Sequence, residues 1–229
     1  MSLSETALVA FAKNPDIVPV KTRLATTFGA DRARLIYIAM LEDCLTALSC
    51  LPGQNAVCTR LYLACYPDEK DEFFQPLARR FELSLIPQTG ADLGERMTCC
   101  LASLLARHET VFIFGTDIPR IPVTSLGALL KRADFDIALG PSPDGGYYAL
   151  GARKEFDPGI FKGVSWSSGK VLEQTLLNCR ALDLAVAFLD DCQDVDDSGS
   201  LEALIGELRK DQEAAPATRT VLGNMGLLS

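Results

Sequence analysis

The chain has 229 residues, of which 48% are hydrophobic and 23% charged, a composition typical of a globular protein with a packed core. Lys and Arg total 22 against 30 Asp and Glu, and the net charge of -8 argues against a general nucleic-acid-binding surface. Because no stretch approaches the roughly 20 apolar residues of a membrane span and no signal peptide opens the sequence, we expect a soluble cytoplasmic protein.

Cysteine and histidine contribute little to the predicted chemistry. The eight cysteines stand in apolar stretches without paired CxxC spacing, so we expect buried free thiols and neither a zinc site nor a disulfide framework. His108 is the only histidine and follows a predicted helix, where the helix dipole favours an imidazolium. A mechanism of the Ser-His-Asp or Cys-His kind is therefore not expected.

Strand and helix patterns alternate through the first half of the chain. The apolar run ALVAFA predicts a strand over 7–12, and periodic apolar residues predict a helix over 31–51. Asp92 and Glu95 have the spacing of a capping box, which predicts a helix from there to about Arg107. The other elements predicted in this half are strands at 59–66 and 84–87 and, between them, a helix near 73–81.

The second half begins with the most strand-like run in the chain, VFIFG at 111–115, which ends at Asp117 and Pro119. The proline stops regular strand pairing, so Asp117 is predicted to follow the carboxyl end of a strand. The remaining predicted elements are helices at 125–132, 169–180 and 200–210 and strands at 136–140, 147–152 and 184–189. The tail from about residue 212 is predicted to be loosely packed.

Repeated strand-helix units imply a mostly parallel sheet with helices on both faces, a three-layer α/β/α architecture. We expect residues 1–229 to form a single domain. Ligands of such sheets bind outside the carboxyl ends of the strands, which selects the loop at 13–23, GTDIP at 115–119 and PSPDGG at 141–146. Neither GxGxxG after the first strand nor a GxxxxGKS or GxxxxGKT motif occurs, so an ordinary dinucleotide site and a P-loop are not expected.

Three cationic residues, Lys13, Lys21 and Arg23, lie close together after the first predicted strand. Two ammonium groups and a forked guanidinium can neutralise and grip a diphosphate. The alternative is a solvated basic loop without a ligand. The sequence therefore predicts a candidate phosphate-binding loop at this end of the sheet.

Two acidic segments are candidates for binding a divalent metal. Asp117 follows a buried strand, where a carboxylate needs water, a cation or hydrogen-bond donors, and Mg²⁺ accepts one or two protein carboxylates together with phosphates and waters. In the acidic run at 190–197, alternation puts Asp194 and Asp196 on the same side of an extended segment, and we prefer Asp196 as the second ligand. The alternatives are a turn cap at Asp117 and a solvated loop that caps the last helix.

Two further strand-end segments are candidates for substrate contact. Asp144 is followed by Gly145 and Gly146, which permit positive φ angles and a close approach of a ligand to the backbone. A tight hairpin turn explains these glycines equally well. Gln88 lies at the end of another predicted strand, where it could contact a base or ribose.

Six segments, read together, resemble one family. They are FAKNPDIVPVKTRLA (11–25), QTGADLGERM (88–97), FGTDIP (114–119), GPSPDGGYYALG (140–151), VSWSS (164–168) and DVDD (194–197). In this order they resemble the bacterial DUF2064 group of glycosyltransferase A-type, nucleotide-diphospho-sugar transferase proteins, which are related to molybdenum-cofactor and phospholactate guanylyltransferases. The resemblance implies the Rossmann-like GT-A fold.

The resemblance also implies roles for individual residues. Lys13, Lys21 and Arg23 would surround the phosphates, and Asp117 and Asp196 would hold the metal. Residues implied on the acceptor or sugar side are Asp144, Gly145, Gly146, Tyr147 and Trp166, and those implied near the nucleoside are Gln88 and Asp92. The chain departs from the family in its first loop, where residues 16–19 replace the usual glycine and an acid would oppose a nearby phosphate.

The function expected from these features is transfer of a glycosyl group from a nucleotide-sugar to a small-molecule acceptor, with Mg²⁺ or Mn²⁺ at the diphosphate. Lys21 and Arg23 would share the charge of the leaving group, and Asp144 would orient or deprotonate the acceptor hydroxyl. The alternative is nucleotidyl transfer, in which an NTP releases pyrophosphate. A third hypothesis is a nucleotide-sensing module without turnover. No nucleic-acid partner is expected.

Overall fold

The structure, a computed structural model, describes residues 6–51, 59–154 and 156–228. The strands of these residues are β1 Thr6–Lys13, β2 Thr59–Tyr66, β3 Ser84–Pro87, β4 Thr110–Gly115, β5 Ile137–Pro141, β6 Tyr147–Arg153 and β7 Val186–Phe188. The α-helices are α1 Thr22–Phe28, α2 Ala30–Ser49, α3 Phe74–Arg80, α4 Leu93–Leu105, α5 Val123–Leu129, α6 Val171–Ala181, α7 Ser198–Leu208 and α8 Pro216–Asn224. A short 3-10 helix spans Pro158–Phe161.

The strands form one mixed sheet in the order β3-β2-β1-β4-β6-β5-β7. All neighbouring pairs are parallel except the two that involve β6, which runs antiparallel to β4 and β5. The predicted mostly parallel sheet is confirmed. The departure from it arises at PSPDGG, a loop too short for a helical crossover, so β5 and β6 form a hairpin.

Apolar side chains cover both faces of the sheet, as expected for central parallel strands. Successive residues of β4 point to opposite faces: Phe112 and Phe114 pack in a cluster with α2, α3 and α5, whereas Val111 and Ile113 pack in a cluster with α4 and α6. This two-sided burial explains why the strand appears in the sequence as a continuous apolar run. The predicted three-layer α/β/α architecture is confirmed.

The tail differs from its prediction. Residues 216–224 form α8, which packs on α2, and Leu222 is fully buried in a cluster with α1, α2 and α7. The carboxylate of Asp43 in α2 accepts hydrogen bonds from the backbone N–H groups of Ala217 and Thr218 at 2.9 and 2.8 Å. A partner on a distant helix therefore fixes the start of α8, and such a partner is not visible in the local sequence.

The cysteines and the histidine are placed largely as predicted. The described cysteines are free thiols, and Cys44, Cys65, Cys100 and Cys179 are buried, whereas Cys50 and Cys99 are exposed. Cys58 lies outside the described residues. His108 is buried before β4, with Nε2 at 2.9 Å from the hydroxyl of Tyr62. Because β4 begins at the edge of the sheet opposite its carboxyl end, His108 lies away from the selected loops.

The topology brings the selected loops to a single edge of the sheet. The parallel strands β1, β4, β5 and β7 all end at this edge, and the hairpin from β5 to β6 turns there. The loop after β1, GTDIP, PSPDGG and the acidic segment at 190–197 therefore lie side by side. None of the described helices has the length and hydropathy needed to cross a membrane.

Candidate functional site

Lys21 is the central cation of the carboxyl edge. It is the N-cap residue of α1 and adopts a left-handed backbone conformation, with φ 48° and ψ 46°. Its side chain is only 6% exposed, and Nζ donates to Oδ2 of Asp117 at 3.0 Å and lies 3.8 Å from Oδ1 of Asp196. The ammonium group thus connects the first loop to both predicted metal ligands.

Asp117 occupies the strand-end position that the sequence predicts. It follows β4, and its backbone carbonyl accepts a hydrogen bond from the N–H of Val195 at 3.0 Å, which ties GTDIP to the acidic segment. Burial alone would raise the pKa of Asp117. The ammonium groups of Lys21 and Lys13 lower it by more than burial raises it, so the pKa lies below its ordinary value. Asp117 is therefore held as an anion beside a cation.

The acidic segment divides into residues with different roles. Asp196 accepts a hydrogen bond from Arg23 at 3.1 Å through Oδ2, while Oδ1 faces Lys21. Asp197 is the N-cap of α7 and forms a capping box with Ser200. The predicted capping alternative therefore holds for Asp197, whereas Asp196 lies in the carboxylate and cation cluster at the edge of the sheet.

Asp194 belongs to the same cluster, although no role is predicted for it from the sequence. Burial, together with the nearby carboxylates of Asp117 and Asp144, raises the pKa of Asp194 to about 6, and Lys21 opposes this shift. The alternation that placed Asp194 beside Asp196 was a usable signal in the sequence. Its electrostatic environment could not be predicted, because it depends on residues from three other loops.

The first loop is organised without a glycine. The side chain of Asn14 accepts from the N–H of Asp16 at 2.8 Å, and its carbonyl accepts from the N–H groups of Ile17 and Val18. Arg34 of α2 pairs with Asp16 at 2.5 Å. These three backbone N–H groups therefore donate within the loop itself and are not available to a ligand.

PSPDGG forms the tight turn that was the alternative explanation for its glycines. The N–H of Ser142 donates to the carbonyl of Gly146, and Oδ1 of Asp144 accepts from the Ser142 hydroxyl at 2.5 Å and the Gly146 N–H at 2.9 Å. Gly145 has φ +86°, and a Cβ atom there would lie 2.2 Å from the carbonyl oxygen of Gly169. The glycine is required by contact with the neighbouring loop.

The two aromatic residues predicted on the substrate side are placed differently from each other. The hydroxyl oxygen of Tyr147 is buried, and burial raises its pKa above the ordinary range. This burial leaves the hydroxyl no route to a substrate. Trp166 is partly exposed and packs against Phe161 and against Gly94 at the start of α4, so it lies near the N-terminus of that helix.

Gln88 and Asp92 were predicted near the nucleoside. The amide nitrogen of Gln88 donates to the carbonyl oxygens of Ala12 in β1 and Ala64 in β2, at 3.0 and 2.8 Å. Gln88 therefore lies across the carboxyl ends of these two strands. Asp92 is the N-cap of α4 and accepts from the N–H of Glu95 at 2.8 Å, a structural role that the capping-box spacing predicts.

A cleft with a volume of about 790 Å³ opens beside GTDIP and PSPDGG. Its walls include Pro119, two residues after Asp117, and Pro143, which precedes Asp144. Arg120 also lines the cleft and pairs with Glu207 and Asp211 of the α7 region. The cleft is also lined by Asp190, Asp191, Cys192 and Gln193. Lys21, Asp117, Asp144, Asp194 and Asp196 do not line this cleft, so it adjoins the loops that carry the carboxylate cluster without containing the cluster itself.

The carboxylates fit a metal that is completed by its ligand. Among the described residues, no group of three or more His, Cys, Asp or Glu side chains could hold an ion by itself. Mg²⁺ commonly takes only one or two protein carboxylates and receives its other oxygens from phosphates and water. Asp117 and Asp196 already face a shared cation, the ammonium group of Lys21, which is consistent with a cation site of this kind.

Solved structures with the same architecture define the class of fold. A proposed nucleotide-diphospho-sugar transferase from Desulfovibrio desulfuricans G20 is 30% identical, has a TM-score of 0.81, and the match covers 98% of this chain and 96% of that chain. The CMP:2-keto-3-deoxy-manno-octonic acid synthetase complexed with CTP is 11% identical, with a TM-score of 0.53 over 91% and 100% of the two chains. The inositol-1-phosphate CTP transferase from T. maritima is 15% identical, with a TM-score of 0.52 over 92% and 96%.

The fold is thus that of nucleotide-diphospho-sugar transferases and related nucleotidyltransferases, and the two remote matches show the fold alone. Residues 52–168 match the family of uncharacterized proteins conserved in bacteria designated DUF2064. The chain belongs to this family, as its motifs predicted. No curated protein matches the sequence.

Proposed function

We propose that this protein transfers a glycosyl group from a nucleotide-sugar to a small-molecule acceptor with the help of a divalent metal. The observation that carries the proposal is the buried Lys21 ammonium held between Asp117 and Asp196 at the carboxyl edge of the sheet. A site with two carboxylates and adjoining cations suits a diphosphate and Mg²⁺ or Mn²⁺ together, since the carboxylates can bind the metal while the cations bind the diphosphate.

The cationic residues would bind the leaving diphosphate. Lys13 is exposed at the end of β1, and Lys21 and Arg23 lie at the start of α1 beside the carboxylates. An anionic ligand would give the Lys21 ammonium a new partner, so that Asp117 and Asp196 can turn to the metal. The bound metal would stabilise the negative charge that develops on the diphosphate as the glycosidic bond breaks.

The acceptor would bind at the PSPDGG turn, next to Asp144. Asp144 uses Oδ1 within its own turn, and Oδ2 has no hydrogen-bond partner among the described residues. This second oxygen is suited to orient an acceptor hydroxyl and receive its proton. Full activity in Asp144→Asn would exclude this role.

Nucleotidyl transfer is the second candidate, and the nucleotidyltransferases that share the fold favour it. One of these structures contains CTP. In this reaction the acceptor would attack the α-phosphate of an NTP, and the same cationic residues would bind the released pyrophosphate. The two reactions use the same site but break different bonds.

Product analysis separates the candidates. The protein is incubated with Mg²⁺ and either nucleotide-sugars or NTPs, together with a panel of small sugar and sugar-phosphate acceptors. Release of NDP supports glycosyl transfer, and release of pyrophosphate supports nucleotidyl transfer. Asp117→Asn is expected to lose the activity, whereas Asp134→Asn, before β5 at the opposite edge of the sheet, is expected to keep it. Binding without either product would leave the nucleotide-sensing module.

A further inference from the structure

Gln88 has an orientation that the structure fixes on chemical grounds. Both hydrogens of its amide nitrogen are used, one on the carbonyl oxygen of Ala12 and one on that of Ala64. Exchanging the amide oxygen and nitrogen would bring three acceptor oxygens together without a proton between them, which is strongly unfavourable. The backbone N–H of Gln88 also donates, to the carbonyl of Cys65 at 3.0 Å. The side chain is therefore held at both ends.

This arrangement leaves Oε1 of Gln88 as an acceptor without a donor. No described residue donates a hydrogen bond to it, and it is not among the buried polar atoms that lack a partner. Gln88 is partly exposed at the carboxyl edge. A rigid side chain thus presents an obligate hydrogen-bond acceptor to whatever lies beyond the ends of β1 and β2.

The position of Gln88 relative to the charged cluster suits the base of a nucleotide. Ala12 directly precedes Lys13, and β1 lies between β2 and β4, so Gln88 and Asp117 are on opposite sides of Lys13. With strands about 4.8 Å apart, their lateral separation is roughly 7 to 10 Å. A nucleoside can extend over this separation from a diphosphate bound at Lys13 and Lys21.

The opposite direction along the edge is less suitable for a base. The carboxylates of Asp144 and Asp194 lie there, in the loops after β5 and β7. On the Gln88 side, the neighbouring groups are the ring of Tyr66 and the guanidinium of Arg96, which stack with 4.0 Å between guanidinium carbon and ring centroid. Flat, uncharged or cationic groups accommodate a base beside a diphosphate better than carboxylates do.

We propose that Gln88 is a specificity-determining residue whose Oε1 accepts a hydrogen bond from the exocyclic amino group of the nucleotide base, which selects cytosine, adenine or guanine over uracil and hypoxanthine. This inference rests on the proposed function and adds to it the class of base. Hypoxanthine in place of guanine leaves only a C–H group opposite Oε1, whereas uracil in place of cytosine, or hypoxanthine in place of adenine, puts a keto oxygen there as a second acceptor. The site then loses a hydrogen bond and gains a repulsive contact.

Matched pairs of nucleotides test the proposal on the unmodified protein. Calorimetry with Mg²⁺ compares CDP with UDP, ADP with IDP, and GDP with IDP, because the members of each pair differ mainly at an amino group. At least one amino nucleotide is expected to bind about tenfold or more tightly than its keto or deaminated counterpart. Equal or tighter binding of UDP and IDP than of all amino counterparts would overturn the proposal.

The variant Gln88→Met separates recognition from structural support. Methionine keeps the length of the side chain but offers neither donor nor strong acceptor. If Gln88 reads the base, the amino-to-keto affinity ratio falls towards one in the variant. If Gln88 only supports the strand ends, both nucleotides weaken equally and the ratio stays, which would contradict the proposal. Metal-dependent binding without base preference would leave the proposed function intact, whereas failure of every nucleotide to bind would reject both.

Discussion

Lys21 is a buried cation that pairs with two carboxylates, which distinguishes it from a solvated lysine of a basic loop. Replacing it leaves Asp117 beside apolar strand residues with only the more distant Lys13 for compensation. Loss of one member of a buried ion pair is strongly destabilising. The effect is moderated here because the Asp117 side chain is 35% exposed.

Lys21→Met is therefore expected to lower the free energy of unfolding by about 1–2 kcal/mol at pH 7. Since Lys21 lowers the pKa of Asp117, its contribution is present above the ordinary Asp pKa and is lost as the pH falls through the lowered value. Denaturant unfolding between pH 7 and pH 3 measures this, with the exposed Lys131→Met as control. A loss that is independent of pH would contradict the assignment.

The effect of Asp194 on the free energy of unfolding is expected to depend on pH in the opposite sense. Its raised pKa of about 6 means that the folded protein holds the proton more tightly than the unfolded chain, so ionisation between about pH 4 and pH 6 destabilises the fold. Asp194→Asn is expected to raise stability by about 1 kcal/mol above pH 6, after allowance for solvent screening, and to change little below pH 4. Thermal unfolding across this range tests it, with Asp191→Asn as control, and lower stability at pH 7 would refute it.

At the scale of elements, the hairpin between β5 and β6 depends on contact with the loop before α6. The carbonyl of Gly145 accepts from the N–H of Leu172 at 2.9 Å, and the loop residue Gly169 lies against Gly145. Two loops that are distant in sequence thus position Asp144 together. This coupling explains why the PSPDGG turn is fixed although it lies at the surface.

Gly145→Ala is expected to destabilise the protein by about 2 kcal/mol, because the residue has a positive φ and its Cβ would meet the backbone of Gly169. Gly146→Ala is the matched control, since its nearest contacts are side-chain oxygens at 3.2 and 3.3 Å. Equal unfolding midpoints for the two variants would show that the loop contact is not needed.

The elements also show which features are readable from sequence. β4 was predictable because both of its faces are apolar, and Asp117 followed from the end of that strand. The burial of Tyr147 could not be predicted, because it depends on the face of β6 from which the Tyr147 side chain projects. The left-handed conformation of Lys21 was equally hidden, because α1 begins inside a segment that reads as a loop and non-glycine residues seldom adopt that conformation.

At the scale of the whole molecule, α8 closes the fold over a cluster formed by α1, α2 and α7. Local apolar spacing could not predict this, because Asp43, which caps the helix start, is 174 residues from Ala217. Since Lys21 and Arg23 lie at the start of α1, the packing of the tail also supports the candidate site.

Asp43→Asn is expected to weaken the docking of α8, because an amide nitrogen would face one of the two backbone donors, at a cost of about 1–3 kcal/mol. Hydrogen exchange of the amides at 217–224 is expected to accelerate more than that of β1 and β4. Glu42→Gln, which changes a surface pair with Arg80, serves as control. Unchanged protection of α8 would contradict this account of the tail.

The central claim is that the carboxyl edge binds a nucleoside diphosphate together with a divalent metal. Calorimetry with a panel of UDP-, GDP-, CDP- and ADP-sugars, with and without Mg²⁺, on the unmodified protein and Asp117→Asn, tests it most directly. We predict binding of at least one nucleotide-sugar that strengthens with Mg²⁺, and loss of this metal effect in Asp117→Asn. Binding that is indifferent to both Mg²⁺ and Asp117, or no binding by any member of the panel, would contradict the claim.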